Sequence, residues 1–250
     1  VSGDVIDRSR VPGFGQTYSV LSLFIVLGLV SLMSINNHGS KIILSWFLIA
    51  PAAAALTYQS PHALRSENEV VALSIITACG LVFLATFFLQ QKNKIYSLLL
   101  SFLVVGVLVI QVKNYLLSYY VTYPQELPMA WQYGFSEIAE YTQKNSDKYD
   151  KIIITDRWDQ PYILIAFFQK YPPQSLQDNL IMGHIDNFGF STGRQLGKYE
   201  FRAIDPKTDI KQKNTLLVSE DKSFPESMVI KTIKSPKGET LFKFVDTNLR

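Results

Sequence analysis

The sequence has a single cysteine, Cys79, set inside an apolar run, so it forms neither an intrachain disulfide nor a cysteine-based zinc site. Its setting reads as that of a small buried apolar residue. The three histidines, His38, His62 and His184, show no metal-ligand spacing, and there is no phosphate-binding glycine loop or serine-nucleophile elbow. Neither a metal nor a cofactor is therefore identifiable from the residues. Charge is sparse, at 18% of residues against 48% hydrophobic. From Val121 onward 17 Lys and Arg face 17 Asp and Glu, which leaves the net charge of +3 in the first half. A balanced second half lacks the basic face of a nucleic-acid domain, so nucleic acid is not an expected partner. No cleavable leader is read, and there are no repeats. The first residue is Val, and the chain reads as a piece of a longer protein.

What is abundant is apolar sequence in long runs. Four stand out, over about 18–35, 42–58, 70–89 and 95–118. A helix rises about 1.5 Å per residue and the hydrocarbon core is about 30 Å thick, so about 20 residues cross it. The first three runs carry no charge, and in the fourth Lys113 lies one turn from the aromatic end "YLLSYY", where it can reach the headgroups. The expected fold is thus a membrane α-helical region of four transmembrane helices followed by a soluble α/β domain. Short connections predict that the helices alternate in direction. Residues 1–17, the loop "TYQSPHALRSENE" and everything after Tyr120 then share one side. Lys41, Lys92 and Lys94 lie on the other, and taking these lysines as cytoplasmic anchors puts Arg8, Arg10 and Arg65 outside.

After the fourth run, residues 121–134 read as a proline-containing linker and 135–250 as the α/β domain. "FSEIAEYTQKN" places Phe135, Ile138, Ala139 and Thr142 at helical spacing, with Ser136 as N-cap. "KIIIT" is a buried strand, and "QPYILIAFFQKY" a helix with Pro161 in its first turn. That series suggests an α/β layer with a parallel sheet. Further strands are expected at "YEFRAI", "NTLLVS", "MVIKTIK" and "TLFKFV", the last two as a hairpin about "SPKG".

Three constellations could carry chemistry. In "PHALR", Arg65 can grip a phosphate with two parallel hydrogen bonds and His62 can add a donor. The same two residues could equally meet lipid headgroups or the neighbouring Glu67 and Glu69. "SGDVIDRSRVPGFG" offers Arg8 and Arg10 with Asp4 and Asp7, though an extended loop entering the membrane accounts for it as well. "TDRWDQPY" stands at the carboxyl end of a predicted strand, where α/β sheets bind ligands. There Asp156, Arg157 and Trp158 could hold a sugar or acceptor, while Asp159 could simply cap the next helix.

Taken together, "VPGFGQTY", "LTYQSPHALRS" and "AWQYGFSEIAEYTQKNSDKYDKIIITDRWDQPYILIAFFQKYPP" resemble the carboxyl-terminal part of bacterial membrane glycosyltransferases, the protein-mannosyltransferase-like group of glycosyltransferase family 39. The resemblance covers most of the chain and weakens after about Gly197. It implies an enzyme of the GT-C architecture, integral to the bacterial cytoplasmic membrane. Such an enzyme transfers a sugar from a polyprenyl-phosphate carrier to a protein or glycan acceptor on the extracytoplasmic face. It also implies that the catalytic acid lies upstream of Val1, so no catalytic residue is assigned, and that Arg65 and His62 face the carrier phosphate. The competing reading is a non-catalytic binding or assembly domain anchored by its helices. A transporter is disfavoured, because no acid or base pair lies within the apolar runs.

Overall fold

The computed structural model describes residues 6–57, 62–90, 94–158, 160–187, 189–221 and 223–249. They divide into two compact units, Val1–Pro124 and Gln125–Arg250.

The first unit is helical: α1 (Leu21–Ile35), α2 (His38–Ala55), α3 (Glu69–Leu89) and α4 (Lys94–Leu117). α4 runs on through a π-helical turn, Ser118–Thr122, into α5 (Tyr123–Glu126). Part of the segment read as a linker is therefore helical. Among the described residues two helices, not the expected four, are long and apolar enough to cross a membrane: Glu69–Leu89, with 21 residues, and Lys94–Glu126, with 33. α1 has 15 residues, a length of about 22 Å that falls short of the hydrocarbon core. It stops because Asn36 turns left-handed (φ 46°, ψ 36°) and returns its N–H to the Leu32 carbonyl. Asn37 then opens α2 at once, its side chain accepting the Ser40 N–H at 2.8 Å. The first turn of α2, His38 to Lys41, is polar, which shortens its apolar part to residues 42–55.

α1 and α3 each bury one stripe at four-residue spacing, Phe24, Gly28 and Leu32 on one and Ala72, Ile76 and Gly80 on the other. Gly28 lies on the backbone of Ile76 and Gly80 on that of Phe24. The lower number on α1 meets the higher on α3, so the two helices pass antiparallel, with large residues opposite small ones. Strict alternation would have made them parallel, and that expectation is corrected here. A Cβ on either glycine would stand 1.8 Å from a carbonyl oxygen of the other helix, which is why glycine occupies both positions. α4 buries none of its side chains.

The second unit is a seven-stranded mixed sheet in the order β2-β3-β4-β1-β5-β7-β6. The strands are β1 (Lys151–Ile154), β2 (Leu180–Met182), β3 (Gly193–Leu196), β4 (Tyr199–Phe201), β5 (Thr215–Ser219), β6 (Val229–Lys234) and β7 (Thr240–Asp246). The expected parallel pairing is confined to β1, with β4 and β5; the β6–β7 hairpin is antiparallel as expected, and so are the other pairs, so the sheet is mixed. Period-two alternation sorts the core. Ile152, Ile154, Leu216, Val218, Phe242 and Phe244 face α6 (Phe135–Lys144) and α7 (Pro161–Phe168), while Ile153, Leu217 and Val245 face Phe224 and Met228 on the other side. Phe135, Ile138, Ala139 and Thr142 are all buried, as the helical spacing predicts. Ser136 is not the cap: Gly134 precedes the helix at φ 93°, and Ser136 lies inside it. The β6–β7 hairpin closes about "SPKG" as expected, the Ser235 N–H donating to the Glu239 carbonyl at 2.7 Å. Two short helices complete the unit, α8 (Pro173–Asn179) and α9 (Pro206–Asp209).

Candidate functional site

His62 precedes, and Arg65 lies within, a short 3₁₀ turn, Ala63–Ser66, between α2 and α3. The His62 carbonyl accepts the N–H groups of Arg65 and Ser66, at 3.2 and 3.3 Å. The Ser66 hydroxyl donates to the carbonyls of His62 and Ala63. Arg65 is exposed and His62 half-buried. Pro61 lies outside the described residues. The turn ends at Glu67 and leads directly into α3, the shorter of the two membrane-length helices.

Arg8 and Arg10 sit on a second turn, Asp7–Ser9. Arg10 is paired with Asp7 at 2.8 Å, so much of its charge is already answered, whereas Arg8 is exposed. The segment is pinned to the end of the long rod. Tyr123 donates to the Asp7 carbonyl at 2.6 Å, Ser118 donates to that of Pro12 at 2.9 Å, and the rings of Phe14 and Tyr18 meet Tyr115 edge-on. Asp4 lies outside the described residues.

The third constellation stands at the carboxyl edge of the sheet. The chain leaves β1 toward α7 on one face, and leaves β4 and β5 toward Ile204, Ile210, Phe224 and Met228 on the other. Connections that part in this way do so at the strand ends, the usual ligand position of an α/β sheet. Asp156 pairs there with Arg194 at the start of β3. Arg157 reaches Glu220, just past β5, at 3.5 Å, and its guanidinium lies 5.6 Å from the centre of the Trp158 ring. Trp158 also packs on the core, so it is not the open stacking platform that the sequence suggests. Asp159, the predicted cap of α7, lies outside the described residues. Gln160 precedes the helix at φ 28°, a conformation that strains any residue but glycine and concentrates at functional sites.

At the same edge, Arg202 braces the loop after β4 through two parallel bonds to the buried Asp209, of 3.0 and 2.8 Å, and contacts Glu200 at 3.3 Å. Burial opposes the charge on Asp209, but the Arg202 guanidinium and the Asp205 N–H outweigh it and hold its pKa below the ordinary carboxylate value. A carboxylate depressed by folding adds stability above its unfolded pKa, about 3.9, and that contribution is lost as pH falls through the folded value. The protection factors of the β1 and β4 amides against hydrogen exchange, corrected for the intrinsic rate, should therefore fall below pH about 4. In Asp209→Asn the protection should be weaker at neutral pH and should have lost this part of its acid dependence. An unchanged acid profile in the variant would show that the pair does not brace the loop.

Among the described residues no three His, Cys, Asp or Glu side chains gather as metal ligands. Sequence reasoning missed Glu220, although it follows the predicted strand "NTLLVS" in the same way that Asp156 follows β1. Arg194 left no such signal, because "GRQL" has no alternation to mark it as strand. Compared with family models, curated proteins and solved structures, the chain matches none.

Proposed function

We propose that the chain is part of an integral-membrane glycosyltransferase that moves a sugar from a polyprenyl-phosphate carrier to a protein or glycan acceptor on the extracytoplasmic face. The observation that carries this reading is the His62–Arg65 turn, which places two basic residues three positions apart at the start of a membrane-length helix. A guanidinium matches phosphate with two parallel bonds, and an imidazole supplies a further donor. As the sugar–phosphate bond breaks, charge grows on the leaving phosphate. A cation fixed there holds the transition state more strongly than the ground state. Arg65 is thus assigned to the leaving group, with His62 beside it, while Arg8, which precedes α1 at the other end of its antiparallel pair with α3, is not assigned to this phosphate. Arg10, held by Asp7, shapes its turn instead. The α/β unit is assigned to the acceptor. The catalytic acid is not among the residues assigned.

The test uses the full-length enzyme and radiolabelled polyprenyl-phosphate hexoses. Arg65→Ala should lower kcat/KM about 10- to 150-fold, the worth of one charge-assisted hydrogen bond. Arg65→Lys should recover only part, since lysine keeps the charge and loses the fork. Wild-type turnover in Arg65→Ala would remove this residue from the site. No transfer by the parent enzyme from any such donor would leave the helices as a mere anchor.

A further inference from the structure

We propose that the carboxyl edge of the mixed sheet binds a neutral carbohydrate, between Trp158 and Thr192 on one side and Glu220 on the other. Three polar side-chain atoms of the second unit are buried without a hydrogen-bond partner among the described residues: Trp158 Nε1, Thr192 Oγ1 and Glu220 Oε2. Buried polar groups are nearly always paired, so a cluster of exceptions calls for a ligand or trapped water. All three belong to one edge. Trp158 follows β1, Glu220 follows β5, and Thr192 precedes β3, whose antiparallel pairing with β4 brings its start to the carboxyl ends of the parallel strands. The ion pairs Asp156–Arg194 and Arg157–Glu220 tie the three segments together there.

The chemistry of these atoms selects the ligand. Trp158 offers only a donor, the Glu220 carboxylate only an acceptor, and Thr192 either. A sugar hydroxyl both donates and accepts, so adjacent hydroxyls can answer all three. The local charge selects against an anion: Arg157 and Arg194 are each already matched by a carboxylate. Arg157 is two-thirds exposed and its bond to Glu220 is long, so the guanidinium can swing off Trp158 to admit the ligand. The inference does not depend on the transfer reaction, and Arg65→Ala should leave it untouched.

The test is saturation-transfer NMR on the full chain in a detergent without a sugar headgroup. The probes are the methyl glycosides of glucose, mannose, galactose and N-acetylglucosamine. At least one should receive saturation from the parent protein. Trp158→Phe, which deletes the N–H and keeps an aromatic ring, and Glu220→Gln, which keeps the shape, should each weaken that binding about tenfold, the worth of one lost hydrogen bond. Near-UV circular dichroism should show both variants folded. Should either fail to fold, Thr192→Val provides the same test with a smaller change. No signal from any glycoside, as when trapped water alone satisfies the three atoms, would overturn the proposal. Equal binding by folded variants would overturn it too.

Discussion

Replacing Gly80 with alanine should force α1 away from α3. The new methyl group would stand 1.8 Å from the Phe24 carbonyl oxygen and 2.8 Å from the Gly28 nitrogen. Both are backbone atoms inside a hydrogen-bonded helix, so no side-chain rotation relieves the clash and the helices must separate. Overpacking against side chains costs about 1–3 kcal/mol, and a rigid backbone obstacle puts this change at about 3 kcal/mol or above. The chain carries its own reporter: Cys79, its only cysteine and the neighbour of Gly80, is half-buried. Maleimide should label it faster in Gly80→Ala, and the thermal midpoint in detergent should fall. Gly106→Ala is the control, because nothing lies within 4 Å of a Cβ at that position on α4. If Gly80→Ala labels and melts like the parent, the antiparallel contact is wrong.

Phe244→Ala should be the most damaging single change in the second unit. The ring is fully buried on β7, meets Tyr141 edge-on at 4.7 Å, and lies 5.6 Å from the Lys231 ammonium. Truncating a buried phenylalanine costs about 3–5 kcal/mol, the transfer term plus the cavity left behind. Hydrogen exchange of β7, its own strand, and of β5, the central neighbour in the sheet, should accelerate most. Loss of protection confined to β6, at the sheet edge, would mean that Phe244 does not bear the core.

The two units were legible to different degrees, for physical reasons. Helix α6 declared itself because Phe135, Ile138, Ala139 and Thr142 recur at the period of a helix whose other face is wet. β1, β5 and β7 did so because β-branched and aromatic residues cluster there between turn residues. β2 and β3 are three and four residues long and their burial does not alternate, so nothing local marks them. In the first unit apolarity alone set the expectation. Hydropathy registers how much of a helix shuns water but not where it stops, and two adjacent asparagines, Asn36 and Asn37, end one helix and begin the next. Nor does it register direction, which was encoded in the order of large and small residues along two stripes spaced by four. Of the site residues, Asp156, Arg157 and Trp158 were readable from their place after a strand. Their partners Arg194 and Glu220 come from distant segments that only the sheet order brings near.

The antiparallel passage of α1 and α3 also changes how the charges are counted. The end of α1 lies beside the beginning of α3, so α2 and the turn after it form an excursion that departs from and returns to one end of the pair. His38 and Lys41 open that excursion, and His62 and Arg65 close it. Lys41 therefore moves from the face of Lys94 to that of Arg65. By the same geometry Arg8 and Arg10, which precede α1, fall at the other end of the pair, and Glu67 and Glu69 share the end of Arg65, so the three arginines once grouped on one face are divided between the two ends.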